Sequence, residues 1–279
     1  MQGDVIQILV SFNQNYIPPF KVMFNSMTLN NPQERFHIWL LHSGLTEEAL
    51  DDLEAYCIAR GADFTPVEVD STLFKGAPVS KQYPQEMYYR LLASRILPAE
   101  IGRILYLDPD ILVINPLRPL WETEMAGNVF AAAAHSCGPE MVNDVNRLRL
   151  DTAHDYYNTG VILMDLEKAR LLVTAAEVFA YVQAHAEELV LPDQDVFNAL
   201  YGYCTLSVDD RLWNYDVRYF PEYYLKSEGV CSMEWLMENT AVLHFCGKSK
   251  PWRTGYTNRF ASLYKHYAHL AKRQVEALK

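Results

Sequence analysis

Residues Arg103–Asn115 read RILYLDPDILVIN. Two carboxylates, Asp108 and Asp110, stand between apolar runs that both have the composition of buried strands. Open α/β sheets bind ligands beyond the carboxyl ends of their strands, where this pair falls. Separated by one residue, both side chains can reach a single hard cation, and the intervening proline contributes no ligand. Asp-Pro also opens β-turns. The motif alone leaves turn and cation site about equally open, and its place at a strand end favours the cation.

Upstream, strand and helix alternate. Val5–Phe12 and Phe36–His42 read as strands, Ile17–Leu29 as a helix. Thr46 caps a second helix with Glu47 and Glu48 in its first turn, and Gly61 stops it. Phe64–Val69 is a strand, Met87–Leu97 a helix and Ile104–Leu107 a strand. This alternation predicts an α/β fold, a mostly parallel sheet with helices on both faces. Farther on, Val129–Ala134 and Val161–Leu166 read as strands and Glu167–Glu188 as one long helix. Asp193 caps a helix through Leu200, and a last helix covers about Asn258–Leu278.

Composition narrows the function classes. The chain has 279 residues, half of them apolar, enough to bury a sizeable core. No apolar run reaches the ~18 residues of a membrane span. No basic stretch precedes the first apolar segment, so no secretory signal is expected. Five scattered cysteines without a CxxC pair argue against a disulfide framework and for a reducing, cytoplasmic setting. A net charge of −11 argues against general nucleic-acid binding. The charge is uneven: Gly247–Lys279 carries eight Lys/Arg and one Glu.

Four further stretches bear polar groups suited to chemistry. His244–Trp252 is HFCGKSKPW; alone, His244 suits a core position, and Gly247 with Lys248 and Lys250 makes a basic loop suited to phosphate oxygens. Trp252 reads as a packing residue. Asp193-Gln194-Asp195 alone reads as acids at a helix start. Tyr156–Gly160 (YYNTG) alone reads as a turn, and Phe12–Pro19 (FNQNYIPP) as a loop after the first strand.

In this order and spacing, DxD, NTG, DQD and HFxGxxKPW resemble glycosyltransferase family 8, retaining enzymes that include bacterial lipopolysaccharide galactosyl- and glucosyltransferases and glycogenin. The resemblance runs from about Val5 to Trp252. It implies a GT-A fold over residues 1–257; residues 258–279 read, from their own apolar spacing and charge, as a basic amphipathic helix. It also implies transfer of glucose or galactose from a UDP-sugar to a saccharide or glycolipid acceptor. Asp108, Asp110 and His244 would hold Mn2+ (or Mg2+). Lys250 and the Gly247 backbone would take the diphosphate. Ser11, Asn13, Asn15 and Tyr16 would take the nucleotide, with Tyr16 on uracil. Arg90, Asn158, Asp193 and Gln194 would surround the donor sugar and act in catalysis. Gln194 stands where a double displacement would need a nucleophile; an amide is a poor one, which favours same-face attack by the acceptor hydroxyl.

Two positions depart from the lipopolysaccharide galactosyltransferase pattern, Asn13 and His135, each where an Asp is expected. A haloacid-dehalogenase-like phosphatase is disfavoured because Ile111-Leu112-Val113 follows the second Asp where Thr or Gly would stand. A self-glucosylating protein and a non-catalytic sugar-nucleotide binder are the remaining alternatives. The donor sugar, acceptor and oligomeric state stay open. The basic tail implies peripheral contact with an anionic membrane surface, or else a helix that closes on the acidic body or forms a dimer contact.

Overall fold

The computed structural model describes residues 4–74, 86–137 and 140–277; the outermost residues of the expected 1–257 and 258–279 division, and the end of the last helix at Leu278, lie outside them. Among the described residues ten strands form two sheets: β1 Ile6–Ser11, β2 Phe36–His42, β3 Asp63–Glu68, β4 Arg103–Leu107, β5 Ile111–Val113, β6 Phe130–Ala134, β7 Tyr157–Asp165, β8 Thr205–Ser207, β9 Tyr215–Asp216 and β10 Val242–His244. The main sheet has the order β3-β2-β1-β4-β7-β6-β8. Every strand in it is parallel except β7, which runs antiparallel to both β4 and β6.

Alternation along the strands divides the core. Ile8 and Val10 of β1 and Leu105 and Leu107 of β4 face one apolar layer. Leu9, Ile104 and Tyr106 face the other. Successive side chains of a strand point to opposite faces, so an unbroken apolar run is what a doubly covered strand requires. Helices Ile17–Asn30 and Glu47–Ile58 cover the first face; Leu166–Leu172, Ala175–Ala184 and Pro192–Tyr201 cover the second.

The helix after β2 forms as expected, with Thr46 Oγ1 accepting from Ala49 N and Gly61 at φ +73°. Two expected helices are each divided. Met87–Leu97 breaks at Leu92, which leaves helical geometry at φ −103°, ψ 13°. Glu167–Glu188 breaks at Val173-Thr174, where extended Thr174 caps a new helix by accepting from Glu177 N. A β-branched pair lowers helix propensity, and a hydroxyl that can cap makes the restart favourable. Asp193 is not a cap: Leu191 precedes the helix without a side-chain cap.

The second sheet, β5-β10-β9, is a feature that periodicity does not reveal. β5 leaves the main sheet straight after Asp110 and pairs antiparallel with β10, while β9 runs parallel on the far side. Its strands are three, three and two residues long, too short to announce themselves. Helix Ala261–Ala277 closes this sheet. Phe260, Tyr264 and Ala271 are buried against it, and Asn30 Nδ2 donates to Tyr267 Oη at 2.8 Å. Phe260 and Tyr264 are therefore interior side chains, and Tyr267 is half-buried. No helix among the described residues is long and apolar enough to cross a membrane.

Candidate active site

Strand order reverses between β1 and β4, the switch point at which an open sheet leaves a crevice beyond its carboxyl ends. Three connections bring chemistry there. β4 ends at Leu107 and delivers Asp108; Asp108 N donates to Gly160 O at 2.8 Å. Because β7 is antiparallel, its first residues, Tyr157–Gly160, lie at that same end. These residues belong to the strand rather than to a turn before it; Asn158 and Thr159 line the cleft, while Tyr157 is buried in the core. β10 then places His244 opposite Ile111, and Phe245 N donates to Asp110 O at 3.0 Å.

The result is a cleft of about 590 Å³, lined among others by Arg90, Asp108, Asp110, Asn158, Asp193, Gln194, His244, Gly247 and Lys250. Each carboxylate of the first pair has one oxygen secured and one turned inward. Asp108 Oδ1 takes Arg90 Nη2 at 2.9 Å and the Tyr106 hydroxyl at 2.6 Å. Its Oδ2 lies 3.8 Å from His244 Nε2. Asp110 Oδ2 takes Lys250 Nζ, and its Oδ1 lies 3.4 Å from His244 Nε2.

The His244 tautomer follows from its neighbours. Gly160 N donates to Asn158 Oδ1 at 2.9 Å, which fixes the Asn158 amide. Asn214 Nδ2 donates to the same oxygen at 2.9 Å, so Asn214 Oδ1 faces His244 Nδ1 at 2.8 Å. Nδ1 must donate, and Nε2 is the atom aimed at the two free carboxylate oxygens. Gly160 is obligatory in this packing, because a Cβ there would lie 2.2 Å from His244 Cε1.

These three ligand atoms fit a divalent cation. Their separations of 3.4 and 3.8 Å are close to the roughly 3 Å edge of an octahedron with bonds of about 2.1 Å. An O,O,N set suits a first-row transition ion better than an all-oxygen preference would. Electrostatics agree. Burial opposes charge on Asp110, but His244 and Lys250 hold its carboxyl well below the usual range. Burial likewise opposes charge on Lys250, and Asp110, with Tyr16 contributing, raises it.

Arg90 ties the rest together. Burial disfavours its charge, and Asp108 and Asp193 more than restore it. Nη1 reaches Thr159 O at 3.0 Å and Asp193 Oδ2 at 3.3 Å. Asn158 Nδ2 donates to Gln194 Oε1 at 3.1 Å.

A family model described as glycosyl transferase family 8 matches residues 7–255. The chain belongs to that family. Among curated relatives, General stress protein A of Bacillus subtilis is 26% identical over 97% of this chain and 96% of its own length. Lipopolysaccharide 1,2-glucosyltransferase of Escherichia coli is 23% identical over 90% of this chain and 73% of its own. The fold matches the galactosyltransferase LgtC, solved with donor and acceptor sugar analogues, with a TM-score of 0.76 at 22% identity over 95% of this chain and 96% of that one. The mostly parallel sheet is thus the GT-A fold of family 8, and the chain is a glycosyltransferase.

Not every expected residue joins this cleft. Ser11 ends β1, and Asn13, Asn15 and Tyr16 follow it, all outside the lining of this cleft. Asn13 Oδ1 accepts from Asn15 N at 3.1 Å, capping a single 3-10 turn, so this amide oxygen has one lone pair already engaged. Tyr16 meets Trp252 edge to face at 5.8 Å, and Trp252 also packs on Tyr264. Asp195 turns away into the core. Residues missed were Asn214, Tyr106 and Thr159. Asn214 sits in RLWNYD with no periodic signal; Tyr106 is hidden in an apolar run; Thr159 contributes chiefly a main-chain carbonyl.

Proposed function

We propose that this family 8 enzyme transfers a hexose, glucose or galactose, from a UDP-sugar to a saccharide or glycolipid acceptor in cell-surface glycan synthesis, with retention of anomeric configuration. The observation that carries the proposal is the convergence of Asp108 Oδ2, Asp110 Oδ1 and His244 Nε2 beside Lys250. These three would hold Mn2+, which when bound supplies positive charge to the departing diphosphate.

The chain's own groups support each half of the reaction. Lys250 commits two of three donors, to Asp110 and to Phe245 O at 3.0 Å, and keeps one for a phosphate oxygen. Gly247 adopts φ +87°, and a Cβ there would lie 2.9 Å from Arg218 Nη1, so the bare backbone is available to a diphosphate. The sugar acquires cationic character as its anomeric bond breaks. Gln194 Oε1, oriented by Asn158, is a polar group suited to that charge, and its poor nucleophilicity favours same-face attack by the acceptor hydroxyl. Ser11, Asn13, Asn15 and Tyr16 would receive the nucleotide at the β1 side of the switch point.

A panel of UDP-sugars with Mn2+, followed by NMR of the product's anomeric proton, tests this reading. An α-linked product from an α-linked donor is expected; a β-linkage overturns it. The exposed Lys265, Lys272 and Arg273 on the last helix support peripheral association with an anionic membrane surface. Charge reversal at these three should abolish low-salt binding to anionic vesicles without unfolding the chain, since the buried side of the helix is untouched. Binding that is absent in the parent protein overturns the association.

A further inference from the structure

Three residues beside the candidate active site have no part in the chemistry above: His135, just after β6, Asp216, at the end of β9, and Cys246, two residues after His244. One ligand atom from each lies within 4.8 Å of the others. Four observations make this more than proximity.

Asp216 is fully buried and clamped, its oxygens taking Arg218 Nε at 2.9 Å and Nη2 at 2.6 Å. The guanidinium fork fixes the carboxylate plane, and with Arg218 N also donating to Oδ1 at 3.0 Å it is Oδ2 that keeps a lone pair. Both ring nitrogens of His135 are buried without a hydrogen-bond partner. Folded proteins seldom leave a buried ring nitrogen without a partner, so His135 has a nitrogen open to an occupant. Cys246 is a free thiol that lines the cleft with His135 and Arg218. Finally, the set is chemically unlike the neighbouring triad: one sulfur, one nitrogen and one oxygen rather than two oxygens and one nitrogen.

We propose that His135, Asp216 and Cys246 form a second cation site, selective for a thiophilic divalent ion of the zinc type, separate from the Asp108-Asp110-His244 triad. Sulfur and imidazole ligands favour zinc, whereas Mn2+ and Mg2+ prefer oxygen. A zinc tetrahedron has edges of roughly 3.3–3.8 Å, given bonds of about 2.0–2.3 Å. A small contraction of the three side chains reaches it, and the fourth position opens to the cleft for water. On binding, a metal–sulfur bond forms and the thiol proton passes to solvent. An ion there stands in the cleft beside Gly247, so zinc should inhibit turnover that Mn2+ supports.

Cobalt is the probe, because a Co2+–thiolate bond gives an intense near-ultraviolet charge-transfer band that an O,O,N site does not. Titration of the full chain with Co2+ should produce the band, and Zn2+ should bleach it at one ion per chain. Cys246→Ser and His135→Ala should each abolish it, while Cys137→Ser and Asp110→Asn should retain it, with near-ultraviolet circular dichroism confirming the fold of each. No band in the parent chain overturns the proposal without any variant. A band that survives Cys246→Ser, or that disappears in Asp110→Asn and persists in His135→Ala, also overturns it, the last by assigning the thiolate to the triad's ion.

Discussion

The chain contains two Asp-x-Asp motifs, and the fold uses them in opposite ways. Asp108 and Asp110 lie in the short link between two strands, and both side chains turn toward the same point near His244. Asp193 and Asp195 lie in the first turn of helix Pro192–Tyr201. There each residue advances about 100°, so positions i and i+2 diverge by roughly 200°. Asp193 faces the cleft and Arg90; Asp195 is fully buried, holding Arg149 Nη2 at 2.6 Å, the Tyr156 hydroxyl, and the main-chain N–H groups of Val190 and Leu191 at 2.7 and 3.0 Å. The same three-letter pattern gives two carboxylates turned to one point in one backbone and one cleft residue plus one internal anchor in the other. Arg90 joins the motifs by gripping the first Asp of each.

The sharpest way to break this comparison is Asp195→Ala. It removes the carboxylate partner of a largely buried guanidinium, which keeps only Glu188 O and Asn146 Oδ1, and strands two main-chain donors, a loss of about 3–5 kcal/mol. In a chain of this size that lowers the melting temperature by roughly 6–20 °C. A melting temperature within a degree or two of the parent's would mean that Asp195 is no anchor.

Asp110→Asn should do the reverse. The variant folds with little change in melting temperature, while Mn2+ and UDP binding by calorimetry weaken together, by about a hundredfold or more, beyond what an outer-shell change costs. Equal UDP affinity with and without chelator would remove the cation from the argument.

A smaller effect belongs to Asn214, which touches neither motif yet orients His244. Asn214→Ser should weaken Mn2+ binding about 10–100-fold through loss of the fixed tautomer. Asn214→Asp should recover much of it, since a carboxylate still accepts from Nδ1. If both variants bind Mn2+ like the parent, the ring is held by other means.

The smallest effect serves as a control outside both motifs. Burial lowers His37 and His42 of β2 below the ordinary 6.5, against the opposing pull of Asp63 and Glu68. A depressed folded-state value means stability is complete above pH 6.5 and is lost as pH falls through the folded values. Replacing both by Gln should flatten the decline in urea midpoint between about pH 7 and pH 5. An unchanged slope would place the acid sensitivity elsewhere, with the triad first in line.

The sheet was legible because its strands are doubly covered and therefore unbroken apolar runs, as in Ile104–Leu107 and Ile38–Leu41. The divided helices were not, because Val173 and Thr174 continue a helical apolar pattern while their backbone preference contradicts it. The candidate site was legible where residues form sequence clusters, as Asp108 with Asp110 and His244 with Lys250. It was illegible where a role depends on a partner far along the chain. Nothing in RLWNYD says that Asn214 will meet His244, and nothing in the DQD motif distinguishes its two acids until the helix assigns them to opposite sides.

The pairing of β5 with β10 sets a timetable for the molecule. Ile111 waits for His244, well over a hundred residues later in synthesis. Until that partner emerges, Leu112 and Val113 form an unpaired apolar edge of the kind that invites association with other chains. Closing so long a loop is an entropic cost met late, and it makes this sheet a slow step in folding. The triad is therefore incomplete in any chain that has not yet made β10, even where the main sheet is nearly finished. Competence arrives together with the strand that seals the edge.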